Sequence, residues 1–325
     1  MPTAPSTRSV TTDPQTLAGE GTGGATLASP AIIAGTTLFT AAHTTLIIRP
    51  APAGHGLVFR RTDLADQPRI PALITHLVPE SRHTVLAADP SDRAAATSPS
   101  APVVHTTEHI LSALAAMGVT DALLDLHGPE VPIGDGSAAP FTEAIAASGV
   151  RPHAEAPAGP APIRVRERIE VADRAATIEI LPPQPGGEGS LDLEYRLDYG
   201  ASAPIGAQRA AFRLTYATAA RDAAEYRRDI APARTFCLVE EAQAMQKMGL
   251  FRHLQPKDML VIGEDGRPID NAFRFDDEPA RHKLLDLLGD LALTGRPIIG
   301  RVIASRSGHS LNHEAARRLL ALTGT

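Results

Sequence analysis

The sequence predicts an α+β protein of two similar domains, each a β-sheet packed on helices. Three observations carry this expectation. The chain has 325 residues, about twice a typical domain. Short β-rich runs give way to segments of helical periodicity, and this order occurs twice. Between the two occurrences lies the Pro/Ala stretch RPHAEAPAGPAP, residues 151–162, with the composition of a linker. The domains are therefore expected at 28–150 and 163–325. Residues 1–27 are Thr, Ser, Pro, Gly and Ala with few large side chains, which predicts a disordered tail.

In the first half, β-rich runs at 44–49, 56–60 and 70–77 are separated by Pro, Gly and Asp turns. A helix is predicted at 108–117, where Ile110, Leu111, Leu114 and Met117 recur at helical spacing. Thr106 or Thr107 is placed to cap its start and Gly118 to end it. The run ALLDL, 122–126, reads as a strand. A turn-rich stretch at 128–140, with the turn and capping chemistry of Asp135, Gly136 and Ser137, precedes a short helix at 141–147. In the second half, strands are expected at 163–171, 176–181, 191–197 and 211–216, and helices at 219–228, 240–248, 278–293 and 312–322. No repeat of fixed period is present, which excludes a solenoid.

Composition narrows the function. The chain is 43% hydrophobic and 21% charged, ordinary globular usage, and it has no apolar run of the ~18 residues that a membrane span requires. Its single cysteine, Cys237, excludes a disulfide framework and cysteine-rich zinc sites, so any metal must be held by His, Asp or Glu. A formal charge of −6 argues against a nucleic-acid partner. Secretory and transit signals are not evident, so a cytoplasmic location is expected, and no hydrophobic edge suggests more than a monomer.

Three segments carry candidate chemistry. The helix at 277–293 has Pro279 in its first turn, acids at its start and Gly295 beyond its end. On it His282, Asp286 and Asp290 fall at i, i+4 and i+8, on one stripe beside a wall of leucines. A His and an Asp one turn apart can share a divalent ion, although the same spacing also suits a solvated surface pair. Glu108 and His109 open the other helix, where a third ligand with an adjacent carboxylate would complete a catalytic zinc site: three protein ligands, an open position and a base. His309 lies in a Gly-containing turn before the last helix, and such a residue can equally be an ordinary loop histidine.

The strings HTTEHILSALAAMG (105–118), GPEVPIGDGSAAPF (128–141), ARTF (233–236), RFDDEPARHKLLDLLGDL (274–291) and SGHSLN (307–312) occur in this order. Together they resemble the zinc-dependent UDP-3-O-acyl-N-acetylglucosamine deacetylase family, over about 31–322. The resemblance implies an active site at the interface of the two domains, and a deacetylase that removes the N-acetyl group of an acylated UDP-sugar in the committed step of lipid A synthesis. It implies Zn2+ held by His109, His282 and Asp286, with Glu108 as general base. By the same match His309 is the cationic imidazole that stabilises the oxyanion and protonates the leaving amine, and Asp290 orients it. Thr235 matches a hydroxyl on the oxyanion, Phe236 a substrate-contacting ring and Lys283 a lysine of the polar substrate site.

The family also implies a βαβ-type insertion near 237–262 that forms an apolar passage, with Leu238, Val239, Ala242, Met245 and Met248 as candidate lining. A run of such residues at helical spacing is otherwise simple core. The chain departs from the family pattern at residues 35–41, where two glycines and a histidine are replaced and Phe39 stands in the histidine's place. It departs again at residues 251–256, at Cys237, and near the diphosphate, where Arg174 is the nearest cation. These departures bear on acyl-chain length and UDP affinity. Two alternatives follow: a deacetylase of another acylated nucleotide sugar, and a non-catalytic relative that binds such a ligand.

Overall fold

A computed structural model describes residues 24–79, 82–91, 101–154, 160–201, 203–216, 219–249, 251–254 and 258–324. The remainder of the expected tail (1–23), the middle of the expected linker (155–159) and residues 255–256 of the altered 251–256 segment lie outside the described residues.

The first half runs β1 (Ala25–Leu27), β2 (Ala31–Thr36), β3 (His43–Pro50), β4 (Leu57–Arg61), β5 (Arg69–Pro71), a 3-10 turn at Ile74–His76, β6 (Leu77–Val78), β7 (Val85–Ala87), β8 (Val103–Val104), α1 (Glu108–Ala116), β9 (Ala122–His127), α2 (Ala139–Ser148) and β10 (Val150–Pro152). The second runs β11 (Ile163–Arg164), β12 (Ile169–Asp173), β13 (Ala176–Leu181), β14 (Ser190–Asp198), β15 (Ala207–Thr215), α3 (Ala219–Asp229), β16 (Phe236–Leu238), α4 (Val239–Lys247), β17 (Leu260–Ile262), α5 (Glu278–Ala292), β18 (Ile298–Ser305) and α6 (His309–Ala321).

The two halves repeat one topology, as the α+β expectation requires. The first sheet has the order β2-β3-β9-β4-β5 and the second β12-β13-β18-β14-β15, with β11 added beside β18. The pairings match step by step. The β3–β9 and β13–β18 pairs are antiparallel, β4–β9 and β14–β18 are parallel, and the flanking hairpins are antiparallel. In each half the helix preceding the central strand, α1 or α5, lies within the crossover between parallel strands. These two helices pack on each other, and one continuous apolar core runs through both halves. Among the described residues no helix is long and apolar enough to cross a membrane.

Several local expectations need correction, among them the start of the last helix, expected at 312, which begins at His309 and so takes that residue out of the turn and into α6. Residues 25–27, assigned to the tail, form β1 and pair with β10, which lies at the start of the expected linker. Leu27 is fully buried and the Ala25 N–H donates to Thr120 Oγ1, so one apolar anchor and one side-chain acceptor order what composition alone left disordered. The run at 70–77 is interrupted by the 3-10 turn, and the run at 163–171 divides into β11 and β12. Neither threonine caps α1 through its side chain: Thr106, in a left-handed conformation, donates to Glu130, and Thr107 makes no cap bond. The central strand β18 was not expected. It is buried on both faces, so its apolar residues run on without the alternation that marks a half-exposed strand.

Candidate metal centre and active site

The helix α5 carries Glu278, His282, Asp286 and Asp290 on a single stripe, and all four are buried. The surface-pair alternative for this spacing is thereby excluded. Opposite them, Glu108 and His109 form the buried first turn of α1. Gly289 sets how closely the two helices approach, since a Cβ at that position would collide with the Glu108 carbonyl oxygen. Only a residue without a side chain lets the first turn of α1 settle between Asp286 and Asp290.

His109, His282 and Asp286 converge. The Nε2 atoms of both histidines lie 3.5 Å from Asp286 Oδ1, and the three ligand atoms fall within 4.8 Å of one another. Two donors about 2.1 Å from a tetrahedral ion stand about 3.4 Å apart, so the observed spacing fits one ion. The His282 ring is oriented from behind. Its Nδ1 is 3.1 Å from the Ala233 carbonyl oxygen, which can only accept, so Nδ1 holds the proton and Nε2 offers its lone pair. Burial, partly opposed by Asp286, lowers the His282 pKa to about 3 and keeps the ring neutral, as a ligand must be. Burial alone would raise Asp286, but its charged surroundings, the Lys283 ammonium foremost, outweigh that and hold the carboxyl well below its usual range. Two neutral imidazoles and a carboxylate are a donor set suited to zinc or another first-row divalent ion.

The acid–base groups face this cluster from two sides. Glu108 is buried, its pKa raised chiefly by burial, and its Oε2 accepts the Thr84 N–H at 3.2 Å. His309 Nε2 lies 3.8 Å from Glu108 Oε1 and 3.9 Å from Asp286 Oδ2, while Nδ1 is 2.9 Å from Asp290 Oδ2. Burial would depress the His309 pKa, but the Asp290 carboxylate more than compensates and raises it to about 9. The Glu108 carboxyl and a His309 ring favoured in its protonated form thus face each other beside the cluster.

Of the remaining expected residues, Lys283 and Phe236 border the cluster, and Thr235 lies between Ala233, which holds the His282 ring, and Phe236. Lys283 Nζ donates to Asp286 Oδ2 at 2.9 Å and stands 6.0 Å from the Phe236 ring centroid. Phe236 also meets the His282 ring edge-on at 6.4 Å. Thr235 follows the buried Arg234, whose guanidinium and backbone N–H both bind Glu278 at the start of α5, and the Thr235 N–H donates to the Gly136 carbonyl. Lys283 lines a cavity with Tyr195, Leu197, Tyr199, Arg306 and Ser307. Tyr195, Tyr199 and Arg306 were not foreseen. A Tyr on an alternating strand has a periodicity signal for burial but none for a cavity.

The segment between β16 and β17 is a parallel βαβ unit with α4 as its helix. α4 has no buried residue, and Met248 is 60% exposed, so the simple-core reading of its apolar stripe does not hold and Met248 is not enclosed. Met245 meets the Arg82 guanidinium through its sulfur. In the altered segment at 35–41, Phe39 stacks on His83 at 4.1 Å and lies 5.5 Å from Phe251, so the two departures from the family pattern pack against each other.

The chain is similar to known proteins over most of its length. The family model described as LpxC: UDP-3-O-acyl N-acetylglycosamine deacetylase matches residues 24–321. The chain is 36% identical over 297 residues to the UDP-3-O-acyl-N-acetylglucosamine deacetylase of Myxococcus xanthus, covering 91% of this chain and 86% of that protein. It is 33% identical to the enzyme of that name from Syntrophotalea carbinolica, covering 91% and 87%. A bifunctional enzyme LpxC/FabZ from Chlorobaculum tepidum is 32% identical, and there the match covers 90% of this chain and 63% of the longer protein. The matched relatives are hydrolases, and the buried His109, His282 and Asp286 form a candidate metal site of the kind a metal-dependent hydrolase uses. The chain belongs to the UDP-3-O-acyl-N-acetylglucosamine deacetylase family.

Proposed function

We propose that this chain hydrolyses the N-acetyl amide of UDP-3-O-acyl-N-acetylglucosamine, the committed step of lipid A biosynthesis, using one zinc ion held by His109, His282 and Asp286. The observation that carries this reading is the convergence of both imidazole Nε2 atoms at 3.5 Å on one Asp286 oxygen, with Glu108 and His309 beside them. A zinc ion bound there supplies Lewis acidity to the amide carbonyl and makes a water molecule acidic near neutral pH.

The chain's own residues then move the protons. Glu108, with its raised pKa, takes a proton from the attacking water as the oxygen bonds to the carbonyl carbon. His309 enters protonated, held by Asp290, and its Nε2–H stabilises the negative charge that develops on the carbonyl oxygen. It then protonates the nitrogen as the C–N bond breaks, which yields acetate and a free amine. Thr235 is assigned the hydroxyl contact to that oxygen. Phe236 and Lys283 are assigned to the sugar end: Lys283 lines the cavity with Tyr195, Tyr199 and Arg306, and the Phe236 ring lies beside Lys283 and Tyr199. The partly exposed apolar stripe of Leu238, Val239, Ala242 and Met245 is assigned to the acyl chain. In this reading the two domains are those expected at 28–150 and 163–325, the first extended to 25–152 by the β1–β10 pair, with the site between them, in a cytosolic monomer.

The test is acetate release from the UDP-sugar across a series of acyl lengths. Wild-type protein should turn over, and Glu108→Ala should lose activity by about 100-fold or more while its zinc content stays at the wild-type value. Near-normal turnover by Glu108→Ala would overturn the assignment of the base.

A further inference from the structure

Asp290 carries more hydrogen bonds than the orientation of one histidine requires. It is fully buried. Its Oδ2 accepts from His309 Nδ1 and from Asn312 Nδ2, each at 2.9 Å. Its Oδ1 accepts the Thr84 hydroxyl at 2.6 Å and lies 3.2 Å from His313 Nε2. The His313 Nε2 is also 2.9 Å from Thr84 Oγ1. Proton counting fixes this arrangement. The single Thr84 hydroxyl proton goes to the carboxylate, so Thr84 Oγ1 must accept from His313, and His313 Nε2 therefore carries a proton shared between Thr84 and Asp290. Thr84 also donates its backbone N–H to Glu108 Oε2, so it touches both the proposed base and the carboxylate behind His309.

We infer that His313 and Thr84 are positioning residues for the deacetylation. They occupy Oδ1, fix the carboxylate plane of Asp290, and so leave Oδ2 to His309 and hold its Nε2 towards Glu108 and Asp286. Without them a buried carboxylate oxygen is left short of donors, and the carboxylate can turn about its last torsion to recruit His309 through either oxygen. His309 then occupies more than one orientation, and fewer encounters place its Nε2–H at the reacting amide.

This inference rests on the deacetylase reading, and the experiment separates the two. Kinetics on the acylated UDP-sugar are measured for wild type, His313→Leu, His313→Gln and the near-isosteric Thr84→Val, together with zinc content and the one-dimensional proton NMR signal of the His309 Nδ1–H. His313→Leu and Thr84→Val should lower kcat about 10-fold with KM within about twofold and zinc content intact. His313→Gln, whose amide nitrogen can replace Nε2, should recover most of that loss. The downfield Nδ1–H signal should persist in wild type and His313→Gln and broaden or shift in His313→Leu. Unchanged kcat in both Thr84→Val and His313→Leu would overturn the inference, as would a loss in which Gln is no better than Leu. If the wild type releases no acetate, the deacetylase reading fails instead, and an Nδ1–H signal indifferent to His313→Leu would then overturn the positioning role by itself.

Discussion

The Glu130 carboxylate accepts the backbone N–H groups of Leu38, Phe39 and Thr40 and the hydroxyls of Thr40 and Thr106. It is fully buried, and its bonds shape the turn that sets Phe39 on His83 beside the site. Removing such an acceptor strands several buried donors, so Glu130→Ala should lower stability by about 2–4 kcal/mol, read as a fall in the denaturant midpoint. An unchanged midpoint would contradict this account of the turn. In the string GPEVPIGDGS the turn chemistry of Asp135, Gly136 and Ser137 is local and legible in the sequence, whereas that of Glu130 is not. Glu130's backbone N–H partners lie about 90 positions away and leave no local trace. The same holds for Thr84, whose hydroxyl reaches Asp290 across 206 positions. By contrast, His109, His282 and Asp286 could be proposed at once, since each sits in a helix with strong boundaries and a family motif around it.

At the scale of elements, the packing of α1 on α5 makes the centre. The i, i+4, i+8 stripe on α5 was plain in the sequence because helical spacing alone fixes a common face. That this face is buried was not, because burial depends on Gly289 admitting the first turn of α1. Gly289→Ala should therefore push the helices apart: about 1–3 kcal/mol of stability lost through overpacking, and weaker zinc binding as His109 moves away from Asp286. Calorimetry of the zinc-free protein and zinc titration read these separately. Wild-type values in both would show that the contact is not limiting. The missed strand β18 has the opposite character. Its pattern is that of a fully buried strand, and such a run of Ile, Val and Ala does not declare its partners.

For the whole molecule, the repeated topology places two crossover helices back to back, so a site formed between the halves depends on both sheets keeping their register. In the second sheet Glu194 helps to hold it. This β14 carboxylate meets Arg196 on its own strand, Arg209 on β15 and Arg301 on β18 at 2.7–3.0 Å. Burial alone would raise its pKa, but the three guanidiniums outweigh that and bring it down to about 2 from 4.5. The folded pKa lies below the unfolded one, so Glu194 contributes stability above pH 4.5 and the contribution fades as the pH falls towards 2. Glu194→Gln should lower the melting temperature at pH 7, and the difference from wild type should shrink once the pH drops below about 4.5. A difference independent of pH would show that charge is not what Glu194 contributes. The two-half plan was visible in the order of runs and helices; the strict match of strand pairings was not, because pairing partners are set by tertiary contacts.

One ion shared between α1 and α5 is the centre of the proposed site. Zinc titration of chelator-stripped protein tests this most directly. One tight site per chain is expected, retained in Glu108→Ala and lost in His109→Ala, His282→Ala and Asp286→Ala alike. Tight, stoichiometric binding that survives Asp286→Ala would contradict it.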